Sequence, residues 1–541
     1  MTEIASIFND ALAPVTPGPS SGCTGAPVKI AHIGCSLLKK PPVKMCVEIA
    51  SNSRYVENLY SMRSDLSFIS GVLGRDSTHP RFLNAYEDAK AAGIEVEFVT
   101  TEEVLPYQQE VCRLYLYSAD GEVISLYSDS IGGGLFLISD VDGCPVNIDG
   151  SCYETLLFCE KMPAEEQRKL IEDAKNIYTE YNEVSYDEGE FFGILEIKSG
   201  DKLSSDALEM LKKLKGVKDI RTIKPEHPVA RSRYRKPPFE TSTEMIAYAE
   251  KTGYSLWQLA VEYEKALSGW TDEQVMDYAA YLLSVTEKSA ARGLEGKGDM
   301  HGYVPNRTAQ IQKKFESDNR IPMGAVDKGA PYALGIMEDS NASGTIVCIP
   351  TGGSSGIVPG AIYGVGKTMG KSRDEMIKAL LVAGLMGVFM YKTRYNGNIG
   401  CQAEVGCATG MAAGALVYLA GGDVKTACDA ATMGLQCLTG LVCDAVCATV
   451  QTPCFIRNMS GTAIAMVCAN AAMGGLDALM PIEEIAEAMT VLGERMVENN
   501  CNYHGACDTP TAKKLEEEQK KRNTNLRSCN CNKSVECALD Y

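Results

Sequence analysis

Three cysteines stand out among the residues of this sequence that could carry chemistry. Cys401, Cys443 and Cys454 are separated by 42 and 11 residues, so they do not form the CxxC pairs that are typical of zinc sites and redox motifs. To bind one metal centre, they would have to converge from separate helix ends or loops. Their spacing alone leaves two interpretations open, a metal site and buried structural cysteines.

A loop rich in glycine and hydroxyl groups could bind an anion such as a carboxylate or a phosphate. It spans residues 349–360 and contains Thr351, Gly352, Gly353 and Ser354 ahead of a predicted helix. Backbone N–H groups at such a position favour negative charge. The loop lacks the Lys-Ser/Thr ending of a Walker motif, and its alternative interpretation is a flexible turn between two helices.

A second loop of this kind spans residues 17–27. It contains Ser20, Ser21, Cys23 and Thr24 between glycines and prolines. Its hydroxyls suit anion binding, and its thiol adds one reactive group. As an isolated string, the segment is more typical of a capped helix start.

The elements that must position these residues fall into two structural classes. Residues 1–160 contain strand-like segments at 42–50, 94–100, 111–118 and 122–131 and predict an α+β domain, in which the glycines at 132–134 end the last strand. From about residue 240 onward, periodic apolar residues with polar caps predict a mostly all-α C-terminal domain.

We therefore divide the chain into five regions. They are an α+β domain at 1–160, a small strand–helix–strand region at 161–226, a Pro-rich basic linker at 227–242, an all-α domain at 243–510 and a charged tail at 511–541. The small region resembles half of a ferredoxin-like module. Whether residues 188–226 are regulatory or only structural stays open.

Composition excludes several classes of partner. With a net charge of −18, the chain would repel nucleic acid and anionic membranes. The longest apolar runs, at 379–391 and 405–420, are shorter than the roughly 20 residues of a membrane-spanning helix. The N-terminus has no export signal, so we expect a cytoplasmic protein whose 21 cysteines stay reduced. Most of these cysteines are expected to be small buried hydrophobic residues, and a minority to be metal ligands.

Taken together, the motifs resemble the iron–sulfur-dependent L-serine dehydratases (L-serine ammonia-lyases) of bacteria. The resemblance rests on GPSSGCTGAP at 18–27, YSDSIGGG at 127–134, the segment 341–360, GCQAEVG at 400–406, GLVCDAV at 440–446 and VQTPCFIRN at 450–458. It implies that Cys401, Cys443 and Cys454 bind a [4Fe-4S] cluster with one iron open to substrate. Ser20, Ser21, Thr24 and residues 351–354 would then hold the carboxylate of a small amino acid, and we expect a homodimer.

The N-terminal loop departs from the family pattern at Gly22 and, more importantly for the chemistry, at Cys23. The family usually has Ser-Ser-Ser-His-Thr, with the histidine as candidate base, whereas this chain has Cys23 at that place. A second family motif, Gly-His-Gly-Thr, is replaced by residues 61–65 without a histidine. In this respect the loop resembles the Gly-Cys-Thr of L-cysteine desulfidases. Cys23 has three interpretations: a thiolate general base, supported by the cluster or Lys29, a displaceable fourth cluster ligand, or an inert residue.

The resemblance predicts elimination of the β-substituent, from L-serine to pyruvate and ammonia. L-cysteine desulfidation and dehydration of a related β-hydroxy acid are alternatives. A pyridoxal-phosphate enzyme that uses 351–356 as its phosphate cup and a non-catalytic metal-binding protein are more remote. Packing is the expected role of Cys407 and Cys447, and a loop position that of His504. Cys529, Cys531 and Cys537 lie either in a surface tail without a role or in one that reaches the cluster.

Overall fold

The computed structural model describes residues 4–104, 110–300, 303–391, 399–499, 501–502 and 504–530. Within these ranges the strands are Val15–Pro17 (β1), Pro42–Ala50 (β2), Glu95–Thr101 (β3), Glu110–Ser118 (β4), Val123–Gly132 (β5), Leu135–Val141 (β6), Cys144–Ile148 (β7), Tyr153–Cys159 (β8), Tyr181–Glu188 (β9), Gly193–Ser199 (β10), Val217–Ile223 (β11) and Thr345–Val347 (β12).

Most of the α-helices follow the strands along the chain. They are Ser21–Leu37 (α1), Arg54–Asn58 (α2), Ser64–Val72 (α3), Ala85–Ala91 (α4), Ala164–Ile177 (α5), Ser205–Lys212 (α6), Ser242–Thr252 (α7), Leu256–Ser268 (α8), Asp272–Glu295 (α9), Thr308–Glu316 (α10), Val326–Asn341 (α11), Ile357–Met369 (α12), Arg373–Tyr391 (α13), Cys407–Ala420 (α14), Val424–Gln436 (α15), Cys454–Met473 (α16), Ile482–Glu498 (α17) and Pro510–Asn530 (α18). This order confirms the predicted fold class, an α+β region followed by a mostly helical one.

The described residues divide into two compact units. The sheet unit consists of residues 22–236, and the helical unit consists of the segment before residue 22 together with the chain from residue 237. The boundary at 236/237 falls in the Pro-rich segment that was predicted as a linker. The N-terminal segment had been predicted as part of the α+β domain, but its strand β1 pairs antiparallel with β12 of the helical unit.

The sheet unit contains two sheets. One has six strands in the order β3-β2-β4-β5-β6-β7, and α1 and α3 contribute to its apolar core. The glycines at 132–134 do not end the last strand of this sheet, as had been predicted, because β6 and β7 follow them. All three adopt positive φ angles, a conformation that glycine reaches without steric cost, and they form the turn between β5 and β6.

The second sheet is a complete ferredoxin-like module. Its elements follow the order β8-α5-β9-β10-α6-β11, and its strands are arranged β11-β8-β10-β9, which is a split βαβ arrangement. Leu157, Leu195 and Leu211 belong to its apolar core with α5 and α6. The module therefore includes β8, which the sequence-based division at residue 160 had left in the preceding domain.

The helical unit packs apolar helices against one another, and capping motifs set where several of them begin. Thr241 and Thr271 form capping boxes with Glu244 and Gln274 at the starts of α7 and α9. Close packing explains the small residues of the central helices: a Cβ added at Gly434 on α15 would lie 2.7 Å from the Cα of Gly410 on α14.

One helical stretch is long and apolar enough to cross a membrane by its length and composition, within the part of the chain that the structure describes. It spans Gln402–Ala420, and 83% of it is buried inside the protein. That burial is typical of a core helix.

Candidate active site

The three predicted ligand cysteines lie in loops and at helix starts of the helical unit. Cys401 immediately precedes a π-helical turn, Gln402–Gly406, and Cys454 is the first residue of α16. Cys443 lies in the connection between α15 and α16. Cys401 and Cys454 are buried, whereas Cys443 is half-buried. All three cysteines thus belong to loops or helix starts, as their spacing had suggested.

Hydrogen bonds that involve Gln402 and Asn502 align the segments that carry the cysteines. The backbone N–H of Gln402 donates to Leu441 O at 2.9 Å, and the Gln402 side chain accepts from the backbone N–H of Gly440 at 2.8 Å. The backbone N–H of Cys443 donates to Asn502 Oδ1 at 2.8 Å. These contacts bring the Cys443 segment against the turn that follows Cys401.

The three thiols interact electrostatically. The hydrogen bond with the Cys443 thiol, together with burial and the charge of Glu404, raises the pKa of Cys401 well above its usual value. Burial raises the pKa of Cys454, and Glu404 and Cys443 add to this effect. Burial and neighbouring negative charge therefore disfavour the thiolate forms of Cys401 and Cys454. A positively charged group is needed to make them thiolates.

Arg457 supplies one fixed positive charge at this place. Its Nη1 donates to Cys401 Sγ at 3.4 Å and to Val442 O at 3.3 Å, and it forms an ion pair with Asp444 at 2.8 Å. Arg457 thus links the segment of Cys443 to the sulfur of Cys401 from the first turn of α16.

The predicted anion-binding loop lies beside the cysteines. Thr351 Oγ1 donates to Glu404 Oε1 at 2.8 Å, and Glu404 Oε2 accepts from Cys401 Sγ at 3.8 Å. Asn458 Nδ2 donates to Gly353 O at 2.7 Å, and Ser354 Oγ donates to Ile349 O at 2.9 Å. Glu404 is therefore the bridge between the hydroxyl loop and the cysteines.

The N-terminal loop reaches the same place from the other end of the chain. The backbone N–H of Gly18 donates to Gly344 O at 3.0 Å. A Cβ added at Gly352 would lie 2.8 Å from Pro19 O and 3.4 Å from the backbone N of Ser21. Ser20 is half-buried, and Ser21 is buried as the first residue of α1. The two predicted anion-binding loops are thus in direct contact within the helical unit.

Cys23 and Thr24 lie in the first turns of α1 rather than in a loop, and they belong to the sheet unit. Both are buried. Cys23 Sγ donates to Glu110 Oε1 at 3.6 Å. Lys29, which had been expected to support a Cys23 thiolate, donates from Nζ to Gly134 O at 3.2 Å. One charged partner of the Cys23 thiol is thus a carboxylate.

The remaining predicted residues have simpler surroundings. Burial raises the pKa of Cys407 to about 12, and Cys447 Sγ contacts Ala512 O at 3.9 Å. His504 is exposed and pairs with Asp508 at 2.9 Å. The side chain of Cys529 and all of Cys531 and Cys537 lie outside the described residues.

Four polar residues of these sites were missed by the sequence-based analysis. Glu404, Arg457 and Asn458 stand inside the quoted motifs GCQAEVG and VQTPCFIRN. A charged or amide residue in a segment otherwise made of small and apolar residues is a signal that could have identified them. Glu110 had no such signal, because it begins an ordinary alternating strand.

The donor set determines which group these residues could hold. Within the described ranges, no group of three or more His, Cys, Asp or Glu side chains is arranged to hold a metal ion. The three cysteines instead interact with one another beside an arginine, two of them, Cys401 and Cys454, as buried thiols with raised pKa values. Such a set is compatible with a multi-iron cluster, whose thiolates bind different irons.

Comparison with known proteins gives the family. The family model described as "Serine dehydratase alpha chain" matches residues 251–502, which include residues 351–354 and all three cysteines but not Cys23. The resemblance of the N-terminal loop to L-cysteine desulfidases therefore stays a prediction.

Several curated relatives carry the same name. The chain is 31% identical over 285 residues to "Probable L-serine dehydratase, alpha chain" of Bacillus subtilis (strain 168), with 51% of this chain and 94% of that protein covered. It is 31% identical over 262 residues to "L-serine dehydratase, alpha chain" of Peptoniphilus asaccharolyticus, covering 48% and 89%. The match to "L-serine dehydratase 1" of Escherichia coli (strain K12) is 32% over 269 residues, covering 48% and 59%. The chain belongs to the L-serine dehydratase alpha chain family.

Proposed function

We propose that the protein is a [4Fe-4S]-dependent lyase that converts L-serine to pyruvate and ammonia. The observation that carries this proposal is the meeting of Cys401, Cys443 and Cys454 beside the hydroxyl loop, with Glu404 as the bridge. The names of the relatives support the choice of L-serine as substrate.

The three thiols would be the cluster ligands. Three thiolates leave one iron of a four-iron cluster without a protein sulfur, and that iron supplies Lewis-acid chemistry toward the hydroxyl and carboxylate of the substrate. Arg457 Nη1, at 3.4 Å from Cys401 Sγ, offsets the negative charge of the thiolates. Burial of Cys401 and Cys454 excludes water from this side of the site.

The two hydroxyl loops would orient the substrate. Thr351 is held by Glu404, Gly353 by Asn458 and Ser354 by Ile349 O, so the loop is ordered before substrate binds. Its backbone N–H groups precede α12, a position that favours the substrate carboxylate. Ser20 and Ser21 would add hydroxyl donors from the neighbouring N-terminal loop.

Cys23 would accept the proton from the substrate Cα. It stands where the family pattern has its candidate base, and a thiol is the group available at that position. Loss of the Cα proton and of the β-hydroxyl gives an enamine, which hydrolyses to pyruvate and ammonia. The hydroxyl group leaves as water, so the elimination itself needs no external oxidant or reductant.

Anaerobic reconstitution with iron and sulfide tests the proposal. We expect a brown protein that contains about four irons per chain, as a [4Fe-4S] cluster requires. This protein should release pyruvate from L-serine. Cys401→Ser, Cys443→Ser and Cys454→Ser should each lose iron and activity. Cys428→Ser is the matched control, because Cys428 is a buried cysteine of α15 whose charged neighbours include Glu483 and Asp429.

The same assay separates the alternatives. L-cysteine and L-threonine are tested beside L-serine by release of their 2-oxo acids. Faster turnover of L-cysteine with release of sulfide would assign a desulfidase. A colourless protein that binds no iron would contradict the cluster. A yellow protein that borohydride bleaches would favour pyridoxal phosphate.

A further inference from the structure

Glu110 is the polar partner of the Cys23 thiol, and nothing in the sequence motifs assigns it a role. Cys23 Sγ donates to Glu110 Oε1 at 3.6 Å. Cys23 has only 1% of its surface exposed. The thiol therefore has a carboxylate within reach as a proton acceptor, in a contact that is only partly buried.

The fold fixes this pair from two sides. Glu110 begins β4 and lies opposite Ser130 of β5 in the ladder, so the two side chains extend from the same face of the sheet. The first turn of α1 covers that face: Ser130 Oγ donates to Gly22 O at 3.1 Å. A Cβ added at Gly22 would lie 2.9 Å from Glu110 Oε2. The carboxylate thus rests against the N-terminus of α1, where negative charge is favoured.

The surroundings of the pair contain a second indication of a ligand. Tyr55 is fully buried, and its hydroxyl has no hydrogen-bond partner among the described residues. This hydroxyl interacts electrostatically with Cys112, Glu110, Cys23 and Asp129. Because a buried hydroxyl normally finds a partner, Tyr55 points to a polar group that binds next to Cys23 and Glu110.

The other charged group nearby is Asp129 on β5. Burial, with a smaller contribution from the charge of Glu110, raises the pKa of Asp129 to about 6. On β4, burial raises the pKa of Cys112 to about 12. Cys112 Sγ contacts Ser128 Oγ at 3.5 Å.

We propose that Glu110 is a positioning residue for the reaction. Glu110 takes the thiol proton of Cys23 while Cys23 takes the Cα proton of the substrate. In this step the Cα–H bond breaks and a new S–H bond forms, while the original S–H proton moves to Glu110 Oε1. The electron pair of the Cα–H bond forms the Cα–Cβ double bond, and the β-hydroxyl leaves. The proton on Glu110 returns, through solvent, to the departing oxygen, and the sum is loss of one water.

A neighbouring carboxylate makes this relay necessary. It repels a thiolate and stabilises the protonated thiol, so Cys23 beside Glu110 is a poor base unless Glu110 receives its proton. This inference rests on the proposed function, because it assumes that Cys23 faces the Cα proton of a substrate.

Glu110→Gln is the principal test, since it keeps the shape of the side chain and removes its basicity. We expect kcat to fall by roughly 10²–10⁴-fold, the usual contribution of a positioned proton acceptor. The remaining activity should increase with pH toward about 8.5, where a free thiol ionises by itself. Formate should restore activity to Glu110→Ala. Glu103→Gln changes another carboxylate beside the same sheet and should leave kcat and its pH profile unaltered.

A direct readout of the thiol does not depend on turnover. Cys23 is the only cysteine before Lys29, the first tryptic site of the chain, so its alkylation by iodoacetamide can be followed on one peptide. In the holoenzyme we expect the midpoint of alkylation to move to lower pH in Glu110→Gln, because the repelling carboxylate is gone. An unchanged midpoint together with an unchanged pH profile would overturn the proposal.

A histidine at position 23 separates action through Cys23 from a structural role. An imidazole titrates near neutrality and acts as a base by itself. In a Cys23→His background, Glu110→Gln should therefore cost less than about tenfold in kcat. An equal loss in both backgrounds would show that Glu110 does not act through Cys23. If the wild-type holoenzyme eliminates no β-substituent, the proposed function fails, whereas the alkylation shift still tests the coupling of Cys23 to Glu110.

Discussion

At the scale of single residues, the motifs predicted which cysteines belong together but not what surrounds them. Cys401, Cys443 and Cys454 were identified by order and spacing through the family resemblance. Arg457 was not identified, because an arginine three residues after a cysteine, here Cys454, has no evident role in the sequence alone. Its role becomes visible only when both residues are placed on α16. Its contact with Cys401 Sγ crosses 56 residues of chain, and no local pattern encodes such a contact.

Replacing Arg457 with alanine should weaken cluster retention. The change removes the donor to Cys401 Sγ and Val442 O and leaves Asp444 without its ion pair. Loss of an outer partner of a metal ligand typically lowers metal affinity 10–100-fold, so we expect iron to be released to a chelator about tenfold faster. Arg495→Ala on the exposed side of α17 is the matched control. Equal rates of iron release in the two variants would contradict the role of Arg457.

At the scale of elements, the long periodic helices and alternating strands were predicted correctly, whereas their junctions were not. The glycines at 132–134 form a turn inside the sheet. The apolar residues continue after them in β6, which pairs antiparallel with β5. Cys23 lies in α1 because the helix begins at Ser21, two residues after Pro19. A string of glycine, serine and threonine is compatible with both a loop and a helix start, and only packing against β4 and β5 decides between them.

The contact between α8 and the N-terminal segment should make stability depend on pH. Ser6 Oγ and the backbone N–H of Ile7 donate to the two oxygens of Glu264 at 2.6 and 2.7 Å. Complete burial, opposed by these hydrogen bonds, raises the pKa of Glu264 to about 7. The folded protein thus binds this proton more tightly than the unfolded chain does, and the free energy of unfolding falls as pH rises from about 4.5 to about 7.

Glu264→Gln should remove this part of the pH dependence. Its amide can still accept from Ile7 N–H through the oxygen and donate to Ser6 Oγ through the nitrogen. Relative to the variant, the wild-type protein should lose on the order of 2–3 kcal/mol of unfolding free energy between pH 5 and pH 8, at about 1.4 kcal/mol per unit of pKa shift. Urea unfolding at both pH values measures the difference. Parallel curves for the two proteins would show that Glu264 does not titrate in this range.

At the scale of the whole molecule, the order of domains was predicted but the composition of the helical unit was not. This unit is discontinuous in sequence: β1 pairs with β12 across about 330 residues, with Val15 opposite Val347. Sequence patterns report local periodicity and give no sign of a pairing between segments so far apart. The same discontinuity places Pro19 against Gly352. The candidate site of the helical unit therefore contains residues from the N-terminal segment as well as residues from the later part of the chain.

The discontinuity predicts how the helical unit behaves in isolation. A fragment of residues 237–541 lacks the partners of β12 and Glu264 and should be unstable, and it should take up little iron. Joining residues 1–21 to residue 237 through a flexible Gly/Ser linker restores Ser6, Ile7 and β1, so this fusion should fold and retain iron. Circular dichroism melting curves and iron analysis after reconstitution compare the two. A fusion in which Gly/Ser residues replace 4–17 is the matched control and should behave like the bare fragment. If the bare fragment melts at the same temperature as the fusion, the N-terminal segment is not needed for the fold of the helical unit.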